Sequence, residues 1–172
     1  FFLWLVKNGS KIIKRNNTAC LEEAIIKSCK IKCNIVKKDE KEKNLRMILN
    51  FGHTFAHGFE STKNFSKKLN HGEAVLLGMM MACKLSNKNR LLPNKEFDII
   101  KNHFIDLKLP LSINKIFKKN EINKIVYFMQ KDKKNINEKI SLILLVKIGK
   151  TNKPRTFSLN THEMKKFLAS CY

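Results

Sequence analysis

The sequence has no glycine-rich loop of the kind that cradles a phosphate, and no alternation of short apolar strands with helices. Those absences exclude a P-loop and a dinucleotide-binding half built on a parallel sheet. No internal repeat is present. No apolar run is long enough for a transmembrane helix; Phe1 to Val6 is too short and lacks the basic start and small-residue cleavage site of a signal peptide. The five cysteines, Cys20, Cys29, Cys33, Cys83 and Cys171, are odd in number and contain no CxxC pair. Cys29 and Cys33, four apart, suit a metal or a core face, but free, buried, reduced cysteines in a cytosolic protein are the favoured reading. Acidic residues are scarce: 14 Asp and Glu stand against 35 Lys and Arg, giving a net charge of +21.

That charge has two readings. One is a basic module that binds nucleic acid or an anionic membrane. The other is a Lys/Asn/Ile-rich bias that replaces surface residues wholesale. The lysines are scattered over the whole chain, and the aromatic residues are mostly Phe inside apolar periodic runs. Both facts favour the second reading, with no nucleic-acid and no membrane partner. The nucleic-acid module stays as the alternative of another class; its binding would fall steeply with salt. A positive field still favours a multiply anionic small substrate.

The 172 residues, 43% hydrophobic, suffice for one domain (1–172) with a real core. The start at Phe1, without Met, reads as the cut end of a longer chain entering within a helix. Thr18 to about Lys38 reads as one amphipathic helix, with Ala24, Ile25, Cys29, Ile31 and Val36 as its apolar face. Lys37 to Asn44 is charged and solvated. Leu45 to Glu60 reads as the next helix, Ser61 to Asn70 as a surface loop, and Gly72 to Leu85 as a buried helix in which Met79, Met80 and Met81 are core. Asn94 to Leu107 is helical, and Pro110 ends it. Ile113 to Phe117 and Ile122 to Met129 are short helical segments. Ile140 to Ile148 and Thr156 to Leu159 suit a small antiparallel pair. Glu163 to Ser170 closes the chain as a helix. The expected fold is mainly α, multihelical, with one small β-hairpin near the C-terminus.

Asn50-Phe51-Gly52-His53-Thr54-Phe55-Ala56-His57, followed by His71-Gly72-Glu73, is the most informative pattern. His53 and His57 are four apart, so on a helix they share a face. Imidazole is the commonest neutral zinc ligand, and a catalytic zinc takes three protein ligands and keeps one position open. No Glu follows His53 directly, which excludes the metalloprotease pattern.

Arg46 through Glu60, then His71-Gly72-Glu73-Ala74-Val75 and Gly78-Met79, closely resembles the C-terminal half of the 3-dehydroquinate synthase family. The resemblance extends upstream through Lys32 and Asp39-Glu40. Downstream it reaches Asp132-Lys133-Lys134 and the apolar run Ile140 to Ile148 that ends at Gly149. It implies a multihelical domain of a two-domain enzyme of the shikimate route, cytoplasmic and homodimeric at full length. Enzymes of that family convert 3-deoxy-D-arabino-heptulosonate 7-phosphate to 3-dehydroquinate and phosphate, with NAD and Zn2+ (or Co2+) as cofactors. By resemblance, His53 and His71 are metal ligands. His57 contacts the substrate, relaying a proton or sitting beside the phosphate. Lys32 and Arg46 hold the substrate carboxylate, for which a guanidinium offers two parallel hydrogen bonds. Asn50 and one of Lys133 and Lys134 hold the phosphate. Glu73 orients a neighbour or caps the following helix. The family's third zinc ligand, a Glu, and its NAD-binding domain precede the position of Phe1, so this chain is expected to be inactive alone. A related cyclitol synthase or polyol dehydrogenase is the alternative within the superfamily.

Overall fold

Three of the helices begin where an Asn side chain offers an acceptor for their first amide groups. A computed structural model describes residues 1–14, 17–131 and 139–172. In chain order these form α1 (Phe2–Ile13), α2 (Thr18–Lys38), a 3-10 segment (Leu45–Asn50), α3 (His53–Thr62), α4 (His71–Lys88) and α5 (Asn94–Asp106). Two 3-10 turns (Ile113–Lys115, Lys119–Glu121), α6 (Ile122–Gln130), strands β1 (Ile140–Ser141), β2 (Leu145–Lys147), β3 (Lys150–Thr151) and β4 (Ser158–Leu159), and α7 (Thr161–Ala169) follow. Asn17 caps α2 by accepting from the Cys20 amide at 2.9 Å. Asn70 precedes α4, and the Glu73 carboxylate accepts from the Asn70 amide at 3.0 Å, so Glu73 is a helix cap. Asn160 and Glu163 form the same capping box at α7.

The core lies around α3 and α4. Phe55 and Phe59 of α3, Leu77, Met80 and Met81 of α4, Ile125 and Met129 of α6, and Met164 and Leu168 of α7 are all fully buried. Met80 and Met81 of α4 are core, as expected, while Met79 is half-buried; unbranched side chains fill the irregular gaps between helices. Lys63 at the end of α3 pairs with Glu121 at 2.9 Å, tying the last turn of α3 to the start of α6. Among the described residues, no helix is long and apolar enough to cross a membrane.

The helices α3 and α4 touch backbone to backbone. A Cβ on Gly78 would lie 2.2 Å from the Gly52 carbonyl oxygen and 3.1 Å from the Ala56 nitrogen. Gly52 has φ +80, and its own Cβ would meet the Met79 nitrogen at 2.6 Å. Glycine is required there twice over, by conformation and by space. That left-handed residue also splits the expected Leu45–Glu60 helix. The segment before it is a 3-10 helix, and α3 starts at His53. Apolar periodicity alone does not reveal the break.

Three other expectations change. The single hairpin is two separate antiparallel pairs. β1 pairs with β4 (Ile140 opposite Leu159), as the spacing suggested, but β2 and β3 form their own hairpin, turned at Gly149 with φ +82. The apolar face assigned to α2 is not buried by the described residues: α2 packs on α1 and the 3-10 segment, and Ile25 is 54% exposed. Cys29 and Cys33 are exposed on that helix rather than buried; Cys83 alone of the five is fully enclosed, and burial pushes its thiol up to about 12.

Substituting Gly78→Ala is expected to destabilise the chain by about 1–3 kcal/mol, because both partners of the clash are backbone. Gly72, where a Cβ meets nothing within 4 Å, is the control; Gly72→Ala is expected to be stabilising by up to about 1 kcal/mol, since it removes a helical glycine. Urea unfolding of the two variants checks the contrast. A second expectation concerns α1, whose Phe2 meets the buried His103 ring of α5 edge-on at 5.4 Å. Burial holds His103 below its ordinary value of 6.5. Its neutral form is the one that folds, so stability is complete above about 6.5 and declines as pH falls toward the lower folded value. Unfolding midpoints measured from pH 7.5 to 5 are expected to fall less in His103→Gln than in the parent.

Candidate functional site

A cavity of about 480 Å³ opens between α2 and the 3-10 segment. Ser28, Ile31 and Lys32 line it from α2, Arg46, Leu49 and Asn50 from the 3-10 segment, and His53 from the start of α3; Phe1 and Glu42 complete it. Four of the residues singled out in the sequence, Lys32, Arg46, Asn50 and His53, thus share one wall.

The loop between α2 and the 3-10 segment is curled by a single carboxylate. Asp39 accepts from the amides of Lys43 (2.9 Å), Asn44 (2.8 Å) and Arg46 (3.0 Å). Those donors, with the Arg46 amide foremost, hold its carboxyl below the usual carboxylate range. The curl presents Arg46, whose Nη1 donates to the Glu40 carbonyl at 2.7 Å. Asn50 Nδ2 donates to Glu42 Oε1 at 2.8 Å. Glu42 has φ +52, a conformation an L residue holds at some cost, and it faces the same cavity as the two cations. Sequence reasoning gave Glu42 no role, because it sits in a charged run that reads as solvated.

The three histidines meet beside the cavity. The His53 ring lies 5.9 Å from that of His57 and 5.9 Å from that of His71. His53 and His57 come together because they are one turn apart on α3; His71 is brought in by being the first residue of α4. His53 Nδ1 lies 3.3 Å from the Phe51 carbonyl oxygen, and His71 Nδ1 lies 2.9 Å from Glu60 Oε1. A carbonyl only accepts, so His53 Nδ1 is the donor of that pair, which in the neutral ring leaves the lone pair on Nε2. An ionised Glu60 imposes the same tautomer on His71. This is how metal-binding imidazoles are ordinarily held, by the nitrogen that does not bind the ion. The pair therefore fits a zinc-type ion as two of its ligands. Among the described residues, no three His, Cys, Asp or Glu side chains are placed to hold an ion together. Glu60 was overlooked as well, although its place seven residues after His53 puts it on the same helix face. Lys133 and Lys134 lie outside the described residues.

The fold is known from solved synthases. A 2-epi-5-epi-valiolone synthase from Streptomyces hygroscopicus subsp. jinggangensis, solved with NAD+ and Zn2+ bound, matches 99% of this chain with 45% of its own, at a TM-score of 0.78 and 19% identity. A 2-deoxy-scyllo-inosose synthase, complexed with carbaglucose-6-phosphate, NAD+ and Co2+, matches 82% of this chain with 38% of its own, at 0.64 and 23%. At those identities the likeness is one of fold alone, and the class it defines is a structural one.

Sequence narrows the class. Residues 1–135 match the family described as 3-dehydroquinate synthase C-terminal, and the chain belongs to that family. A 3-dehydroquinate synthase from Pelagibacter ubique is 53% identical over 149 residues, covering 87% of this chain and 40% of that protein. Another, from Thermodesulfovibrio yellowstonii, is 34% identical over 168 residues, covering 98% of this chain and 45% of that protein. The chain thus spans less than half the length of these curated relatives.

The cavity's shape is expected to depend on the Asp39 carboxylate. In Asp39→Asn, amide hydrogen exchange is expected to quicken at Lys43, Asn44 and Arg46 while the amides inside α3 keep their protection. Exchange measured by NMR checks it.

Proposed function

We propose that this chain is the metal- and substrate-binding part of a 3-dehydroquinate synthase, a lyase converting 3-deoxy-D-arabino-heptulosonate 7-phosphate to 3-dehydroquinate and phosphate. The observation that carries the proposal is the grouping of Lys32, Arg46, Asn50 and His53 on one cavity, with His57 and His71 against His53, in a chain of this family. At full length the enzyme works as a cytoplasmic homodimer.

The residue types suit a substrate that carries both a carboxylate and a phosphate. Lys32 and Arg46 take the carboxylate; the guanidinium offers a planar pair of donors, and the ammonium a compact charge beside it. Asn50, oriented by its bond to Glu42, and Lys133 or Lys134 take the phosphate. His57 relays a proton at a substrate oxygen. His53 and His71 would hold the metal ion, Zn2+ or Co2+, each through Nε2, with a Glu from elsewhere in the enzyme as the further ligand. The ion, when bound, polarises the substrate hydroxyls and lowers their pKa. NAD, held by another part of the enzyme, would supply reversible hydride chemistry at the substrate. Lys32 and Arg46 also separate this reading from its neighbours, since a cyclitol synthase acting on a substrate without a carboxylate has no use for the pair.

Phosphate release from 3-deoxy-D-arabino-heptulosonate 7-phosphate by the protein as its organism makes it tests the proposal. Turnover is expected with that substrate and not with sugar phosphates lacking the carboxylate. Arg46→Ala is expected to lower kcat/KM by roughly a hundredfold or more, as losing one partner of a desolvated charge pair costs about 2–5 kcal/mol. Residues 1–172 alone are expected to release no phosphate. Turnover of a carboxylate-free substrate only would replace the proposal with a cyclitol synthase.

A further inference from the structure

We infer that Glu60 is a positioning residue for the metal site: its carboxylate fixes the His71 ring by Nδ1 and aims Nε2 at the ion. The inference rests on the reading of His71 as a metal ligand, and it gives a role to a residue that the family motif leaves unassigned.

Glu60 is 8% exposed, one of the few charged side chains in the interior. A carboxylate taken from water is costly unless it is paired and hydrogen-bonded. His71 Nδ1, at 2.9 Å, meets that need. The two members of the pair are placed very differently. The Glu60 side chain is 10% exposed and that of His71 is 63% exposed. The imidazole is therefore anchored at its inner edge, while much of the ring stays accessible. An exposed histidine at the first position of a helix otherwise samples both flips of its ring. The bond to Glu60 selects one flip and one tautomer, and puts the lone pair at Nε2.

The placement along α3 gives the arrangement its logic. His53, His57 and Glu60 stand at i, i+4 and i+7, one stripe of one helix. One rigid element thus supplies His53 directly and orients His71 through Glu60. The 5.9 Å between the His53 and His71 rings is set by α3 on both sides. The carboxylate also raises the donor strength of the imidazole it touches, as outer partners of metal-bound histidines do. A plain ion pair between Glu60 and an imidazolium makes the opposite demand, because a protonated ring has no lone pair to give.

The test is zinc affinity, measured on metal-depleted protein in its native full chain by competition with a chromophoric chelator. Glu60→Gln keeps an oxygen that accepts from Nδ1 and removes the charge; Glu60→Ala removes both. Zinc binding is expected to weaken about tenfold in Glu60→Gln and up to about a hundredfold in Glu60→Ala. The visible absorption of the Co2+-loaded protein is expected to shift in Glu60→Gln, a signature that altered packing alone does not give. In a His71→Ala background, Glu60→Gln is expected to add no further loss, because the two act as one unit. Unchanged zinc affinity in both Glu60 variants overturns the inference. So does an equal loss in the His71→Ala background, which assigns Glu60 to the fold or to direct ligation. Absence of zinc binding by the parent, or its persistence at full strength in His71→Ala, instead overturns the reading of His71 on which the inference stands.

Discussion

The backbone contact between Gly52 and Gly78 fixes more of this structure than any side-chain bond. It brings α3 against α4 with no Cβ between them, at a distance no larger residue permits. Gly52 has a second task in the same place. Its left-handed φ stops the 3-10 segment and lets α3 begin at the next residue, His53. The first metal-binding candidate is therefore placed at a helix start whose position against α4 is set by main-chain atoms. Main-chain contacts have no rotamers to exchange, so the position is stiff. Phe55 and Phe59, on the side of α3 away from His53 and His57, then lock the helix into the core with α6 and α7.

Around that fixed point the cavity is built by local devices. The Asp39 carboxylate gathers three amides and so decides where Arg46 emerges. Lys32 comes from the middle of α2, where the helix passes the same opening. Two cations, one carboxylate and an imidazole on one wall make a surface suited to an anion with hydroxyl groups. The net charge of +21 adds long-range attraction for such a molecule, but it does not locate the site, because lysines are spread over the whole surface. Location comes from which cations the fold lets converge.

Much of the architecture was legible in the residues. Thr18 to Lys38 was read at its observed length, because caps and charge mark both ends, and the methionine-rich stretch was recognised as core. The helix break at Gly52 was not legible, since apolar residues recur on both sides of it at helical spacing and a lone glycine is tolerated within a helix. The hairpin at Gly149 was hidden for a related reason: strands of two and three residues carry too little alternation to register. The uncovered face of α2 shows that amphipathicity states what a helix can bury and not what is present to bury it. Glu60 could have been found from its spacing to His53 and His57 alone, but spacing does not say that a residue eleven positions further on will return to meet it.

The sequence by itself determined the family. Motif residues at fixed spacing identify a family, because a helix places i and i+4 on one face whatever surrounds it. It also determined the Glu73 cap and the buried methionine-rich helix, since both depend on neighbours within a few residues. The tertiary structure alone decided that His71 reaches His53, that Glu60 is the buried partner of an exposed imidazole, and that Lys32 and Arg46 share a cavity with Asn50. Each of those pairings joins different secondary-structure elements. The distances between α3 and α4 are set by backbone contact between glycines far apart in the chain, and the cavity by how α2 lies against the segment that Asp39 curls.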